Sequence, residues 1–351
     1  MQPTFSEAYE AFSAQHGFSG TCLIRAGQRT LFSLAAGEAH RGFHIPNTMD
    51  TRFDTASVTK VFTAAAILRL VDAGRLRLTD RIHDYVDLSG TQISREVRLC
   101  HLLNHTSGIA DDADEEAGED YDALFRNHPN YAIRECRDFL PNFAYKPPNF
   151  APGQGVRYNN CAFVLLGLAI ESVTGQPYRD YVAQEVFAPC GMTRTAFLAM
   201  DGIHENTAEG YTTRQDGSPC KNIYCYPPIG TPDGGAYTTV GDLDKFLRAI
   251  QTGALLSPAR SQAFLQPHCE RTRPAWGWAG SQGALLRTGY AFEFFEQDGK
   301  ATCLFKEGYN SGTRGFLAYF PHKDCTLSLL ANGDYPIGRL FDAWQQILLA
   351  S

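Results

Sequence analysis

Ser57 and Lys60 stand three residues apart in the segment Phe53-Asp54-Thr55-Ala56-Ser57-Val58-Thr59-Lys60-Val61-Phe62-Thr63-Ala64-Ala65-Ala66-Ile67-Leu68. The apolar run that follows predicts a helix over 57–73, closed by Gly74. At that spacing both side chains lie on one face of the first turn. A serine hydroxyl is a weak nucleophile near neutral pH and needs an adjacent base. Lysine serves as that base once burial or a neighbouring cation strips its proton. The helix start also offers unpaired N–H groups and a positive dipole end, which suit an oxyanion. Alone, the pair is equally readable as a helix N-cap serine with a chance lysine.

Two further segments carry chemistry-bearing side chains. Tyr158-Asn159-Asn160 lies between a Pro/Gly-rich loop, 142–155, and an apolar helix over 161–173. A tyrosine there shuttles protons if nearby cations lower its pKa, and an asparagine holds a substrate carbonyl or amide. The plainer reading is a turn with Asn160 as N-cap. Lys306-Glu307-Gly308 ends an expected strand, where a cation stabilises a deprotonated partner or binds an acidic group. Gly308 would let a substrate backbone approach closely. The plainer reading is an exposed hairpin with a solvated Lys-Glu pair.

The elements that must position these residues follow from periodicity and turn signals. A helix is expected over 5–16, with strands over 20–25 and 30–35. Helices are expected over 97–104 and 241–253. Strands over 290–295, 301–306, 315–320 and 325–330 then precede a final helix over 337–350. Gln297-Asp298-Gly299-Lys300 marks a hairpin turn. Strands at both chain ends with helices between them imply an α+β fold of α/β-sandwich type. In it a mostly antiparallel sheet, flanked by helices, carries an inserted all-helical lobe. Residues 1–80 with about 216–351 would form the α/β lobe, and about 81–215 the helical lobe, of a single catalytic unit. The acidic run 111–120 reads as a solvated or mobile loop. Trp276-Gly277-Trp278 is expected to pack near the start of the terminal strands.

Composition narrows the function. The 351 residues are 44% hydrophobic and 20% charged, as in a soluble globular protein. A net charge of −7 and the absence of a Lys/Arg-rich run argue against a nucleic-acid partner. No apolar run is long enough to span a membrane. The first residues show neither a basic segment nor an apolar core of an export signal, which favours a cytoplasmic setting; a trimmed leader would imply a periplasmic or secreted one. The ten cysteines, without CxxC pairs, read as reduced thiols. His101 and His105 are four apart but lack the Glu of a HExxH site, so no metal is expected.

In order and separation, these segments resemble the serine β-lactamase and penicillin-binding superfamily, in the branch of class C β-lactamases, DD-peptidases and related esterases. The resemblance runs from Gly20 to about Gly333. It rests on Arg52-Phe53-Asp54-Thr55-Ala56-Ser57-Val58-Thr59-Lys60, Leu102-Leu103-Asn104-His105-Thr106-Ser107-Gly108 and Tyr158-Asn159-Asn160 with Leu165-Leu166-Gly167. Asp233-Gly234-Gly235-Ala236-Tyr237-Thr238-Thr239-Val240-Gly241-Asp242-Leu243 and Lys306-Glu307-Gly308 complete it. The resemblance implies that Ser57 is the acylated nucleophile and Lys60 a general base or proton relay. Tyr158 would exchange protons with the serine and the leaving group. Asn160 would position the substrate, Lys306 would supply a binding cation, and the backbone N–H groups of Ser57 and Tyr309 would form the oxyanion hole. Clustered cations would keep Lys60 and Tyr158 able to take protons near neutral pH.

Glu307 departs from that pattern, where a hydroxyl residue is usual in β-lactamases. A carboxylate facing the cleft would repel a substrate carboxylate and favour an ammonium-bearing or neutral substrate; facing away, it would do neither. The resulting expectation is a serine hydrolase acting on a small ester, amide or β-lactam, as a monomer or simple homodimer without cofactor. A slowly deacylating penicillin-binding or sensor protein, and an acyltransferase, are the alternatives.

Overall fold

The protein is described from a computed structural model covering residues 3–126, 128–270 and 285–350. The tryptophans at 276 and 278 lie outside the described residues. Helix α1, Phe5–His16, begins at a Thr4/Glu7 capping box. The hairpin strands β1, Gly20–Ala26, and β2, Arg29–Ala36, follow. Helix α2 spans Thr59–Asp72, α3 Cys161–Thr174 and α4 Val240–Gln251. Strands β3, Cys269–Glu270, β4, Leu285–Thr288, β5, Glu293–Gln297, β6, Lys300–Asn310, β7, Thr313–Phe320, and β8, Cys325–Ala331, precede helix α5, Ile337–Ala350.

The eight strands form one antiparallel sheet in the order β2-β1-β8-β7-β6-β5-β4-β3. The chain ends meet where β1 pairs with β8, Gly20 opposite Ala331. Alternation along each strand divides the core. Cys303, Phe305, Phe316 and Leu329 face α1 and α5, in a cluster that contains Phe12, Phe341 and Trp344. Leu304, Leu317 and Leu330 face the opposite way, in a cluster that contains the buried face of α2 and most of α3 from Cys161 to Ile170.

The expected strand over 290–295 begins at Glu293 instead. Ala291 has φ +63°, so Tyr290–Phe292 turns before the strand starts. The short strands β3 and β4, which close one side of the sheet, carry no recognisable strand signal. All ten cysteines are unpaired. Among the described residues, no helix is long and apolar enough to cross a membrane.

Candidate active site

The nucleophile turn is built by compression. Ala56-Ser57-Val58 is a 3₁₀ turn leading directly into α2. Ala56 has φ +45°, a left-handed conformation that costs an L-residue roughly 1–2 kcal/mol. The surroundings hold it there. The Ala56 N–H donates to Asp54 Oδ1 at 2.6 Å, and the Gly235 N–H donates to the Ala56 carbonyl at 3.3 Å. Thr55 and Thr59 tie the same turn to Ala236 through their hydroxyls. Behind it, β6 presses in at Gly308. A Cβ there would lie 2.2 Å from the Thr55 carbonyl oxygen and 3.0 Å from the Ser57 nitrogen. The close approach that Gly308 permits is thus to the protein's own nucleophile turn. Tyr309 follows on the strand, its ring under the Arg314 guanidinium.

Ser57 is not the cap of α2, which starts without a side-chain cap. Its hydroxyl oxygen accepts from Lys60 Nζ at 3.0 Å and from Tyr158 Oη at 2.7 Å. Lys60 is fully buried and donates also to Asn160 Oδ1 and to the Asp233 carbonyl, both at 2.7 Å. Burial pushes its pKa down to about 8. Asp233 opposes that shift, Lys306 adds to it, and Glu115 and Asp111 oppose it.

Tyr158 differs from expectation. Lys306 and Lys60 do lie against its ring, at 4.7 and 5.0 Å from the centroid. Burial nevertheless raises the phenol well above its usual range, with Glu115, Asp111 and Asp233 adding to the rise and the Ser57 hydrogen bond opposing it. The cations sit on the ring face, while carboxylates surround the site, so Tyr158 rests as a neutral phenol. Lys306 is itself 2% exposed, and among the described residues no hydrogen bond or ion pair engages its ammonium.

Helix α3 positions the tyrosine segment through a cap it does not itself contain. Asn160 precedes the helix but does not cap it with its side chain. Asp111 accepts from the Asn160 and Cys161 N–H groups at 2.8 and 2.9 Å, and Asn159 accepts from Ala162 at 2.6 Å. This frees the Asn160 amide for Lys60. Its Nδ2 donates to Glu115 Oε1 at 2.8 Å. Glu116 accepts from the Tyr158 N–H at 3.0 Å, and Asp114 pairs with Arg157 at 2.8 Å. The acidic run expected to be solvated is instead zipped along residues 157–161 by Asp111, Asp114, Glu115 and Glu116.

The histidines serve the backbone. His101 Nδ1 accepts from the Arg98 N–H, and His105 Nδ1 from the Asn159 N–H, each at 3.2 Å. The His105 ring lies 4.8 Å from that of Tyr158. Among the described residues, Asp111, Asp112 and Cys161 bring ligand atoms close enough for a metal. Both Asp111 oxygens, however, already take the α3 N–H groups.

Glu307 faces away from this site. It pairs across the sheet with Phe316, and directly opposite residues share a face. Phe316 stacks on Phe341 of α5, on the side opposite Lys306 and Gly308.

The profile of the Beta-lactamase family matches residues 5–351. The chain belongs to that family. It is 31% identical to esterase EstB of Burkholderia gladioli over 73% of the chain and 72% of that protein. It is 25% identical to penicillin-binding protein 4 of Amycolatopsis lactamdurans over 98% of the chain and 88% of that protein. The crystal structure of a penicillin-binding protein from Bacillus halodurans superposes with a TM-score of 0.88 at 34% identity, covering 97% of this chain and 99% of that one.

Proposed function

We propose that this protein is a serine hydrolase that works through an acyl-enzyme on Ser57. The observation that carries the reading is the convergence of Lys60 Nζ and Tyr158 Oη on one serine oxygen, at 3.0 and 2.7 Å. With its pKa lowered to about 8, Lys60 is neutral in a useful fraction near physiological pH and accepts the serine proton. Ser57 Oγ then bonds to the substrate carbonyl carbon, and the backbone N–H groups of Ser57 and Tyr309 hold the oxyanion. Tyr158, a neutral phenol, gives its proton to the departing oxygen or nitrogen and is reprotonated from Lys60. Water, activated by the same pair, releases the acid.

The substrate is a small molecule with an ester, amide or β-lactam carbonyl. Lys306 supplies a cation that lies on the Tyr158 ring and that no hydrogen bond or ion pair among the described residues engages, suited to a substrate carboxylate or carbonyl. With Glu307 on the far face of the sheet, no carboxylate at that strand position opposes such a group. Turnover of a p-nitrophenyl ester and of a chromogenic cephalosporin tests the reading. Ser57→Ala should lower kcat by about a thousandfold or more, and undiminished turnover would remove Ser57 from the mechanism.

A further inference from the structure

Asp54 is a buried carboxylate, 4% exposed, three residues before Ser57. It lies in the short strand Phe53–Asp54, opposite Tyr237. Among the described residues no cation pairs with it, and its Oδ2 has no hydrogen-bond partner. The titratable side chains that interact with it are the phenols of Tyr226 and Tyr237, both kept neutral by burial. Burial raises the Asp54 pKa to about 6, against the Ala56 N–H and the Tyr226 hydroxyl, which lower it. A buried, unpaired charge opposes folding and calls for a reason in function. The bond that Asp54 makes supplies one. Oδ1 accepts at 2.6 Å from the N–H of Ala56, the residue held at φ +45° whose carbonyl forms the peptide bond to Ser57. A hydrogen bond to an ionised acceptor is roughly twice as strong as a neutral one. The neighbouring ties, from the Gly235 N–H to the Ala56 carbonyl and from the Thr55 hydroxyl to the Ala236 carbonyl, join neutral groups. The charge therefore bears on the backbone rotation that sets where the Ser57 N–H and hydroxyl point.

We propose that Asp54 is a positioning residue for acylation: its negative charge holds Ala56 in the left-handed conformation that aims the Ser57 hydroxyl and N–H at the substrate carbonyl, and a proton on Asp54 slackens that hold. The proposal rests on the reading of Ser57 as the nucleophile. Asp54 is not among the described residues lining the cleft beside Ser57, so it acts through the turn and not on the substrate. The charge is kept at the expense of the fold. Folding raises the Asp54 pKa from 3.8 to about 6, so the protonated form favours folding at low pH, and that contribution is lost as pH rises through about 6. At pH 8 a neutral residue of the same shape gives a more stable protein with a looser nucleophile.

The test measures kcat/KM for a p-nitrophenyl ester from about pH 5 to 9 in wild type, Asp54→Asn and Asp54→Ala, with thermal melting at pH 8. Asp54→Asn keeps an acceptor without a charge, as protonated Asp54 does. Wild type should exceed Asp54→Asn by about tenfold at pH 8, the scale of a charged against a neutral bond, and the ratio should fall towards one near pH 5. Lys60, lowered to about 8, and Asp111, also raised to about 6 by burial, bend both profiles alike and cancel in the ratio. Asp54→Ala, without an acceptor, should lose about a hundredfold at pH 8; if it does not fold, Asp54→Asn decides alone. Asp54→Asn should melt at or above the wild-type temperature. A ratio of one across the range would overturn the proposal, as would a tenfold ratio that does not change with pH. A lower melting temperature for Asp54→Asn would make the carboxylate merely structural, and would also overturn it. Ser57→Ala separates the two readings. If it abolishes turnover while the ratio of wild type to Asp54→Asn is one, the nucleophile stands and the role of Asp54 falls. If it leaves turnover intact, the nucleophile falls.

Discussion

Glu307 and Glu115 exchange the positions that their sequence neighbourhoods suggest. Glu307 adjoins a binding lysine and a close-packed glycine, yet strand alternation turns it to the α5 side of the sheet, opposite Phe316. Glu115 sits in an acidic run that reads as solvated loop, yet it bonds Asn160 and lines the cleft with Ser57. Proximity along the chain is therefore a poor guide to a carboxylate's role. On a strand the period of two decides, and in a loop the partner elsewhere in the chain decides.

The largest effect should come from the strand side of this contrast. Gly308→Ala would drive a Cβ into the Thr55 carbonyl, and backbone cannot swing aside as a long side chain can. We expect kcat/KM to fall by about a hundredfold and the protein to lose about 1–3 kcal/mol of stability, read by turnover and thermal melting. Wild-type behaviour would mean that β6 does not brace the nucleophile turn.

A smaller effect distinguishes the two glutamates electrostatically. For a neutral ester, kcat/KM should rise with pH and level off above about 8 as Lys60 loses its proton. The charged groups acting on Lys60 are Asp233, Lys306, Glu115 and Asp111. Glu115 favours the protonated ammonium, so Glu115→Gln should move the midpoint to lower pH. The same substitution at Glu307 should leave it in place. A midpoint that responds to both would contradict the assigned faces.

The smallest effect is expected at Glu307 itself. Glu307→Thr, which installs the hydroxyl residue usual in β-lactamases, should change kcat/KM on a carboxylate-bearing cephalosporin by less than about twofold. A marked gain would place that side chain in the cleft.

The parts of the fold visible in the sequence are those governed by local periodicity. Helices α1, α3 and α5 and strands β1, β2, β7 and β8 fall close to their expected bounds, because amphipathic or alternating apolar runs and turn residues delimit them, whereas β6 runs on to Asn310, so that Lys306-Glu307-Gly308 lies inside the strand and not at its end. Strands of two and four residues offer too little pattern to detect. In the site, Ser57, Lys60, Tyr158, Asn160 and Lys306 could be singled out because their types and local spacing suggest chemistry. Asp111, Glu115 and Glu116 could not, because their partners lie 42 to 49 residues away and are met only through folding. One signal was available in principle. An apolar helix from Cys161 needs acceptors for its first N–H groups, and Asn160 cannot both cap it and reach Lys60. The raised pKa of Tyr158 is hidden for a different reason: the sequence suggests adjacent cations, but not the burial and the carboxylates that outweigh them.

The central claim is a covalent intermediate on Ser57 formed with Lys60 as base. Intact-mass measurement during turnover of a slowly released acyl substrate tests it most directly. The account predicts one acyl adduct, mapped by peptide digestion to Ser57, absent from Ser57→Ala and accumulating more slowly as pH falls below about 8. An adduct on another residue, or equal labelling of Ser57→Ala, would contradict it.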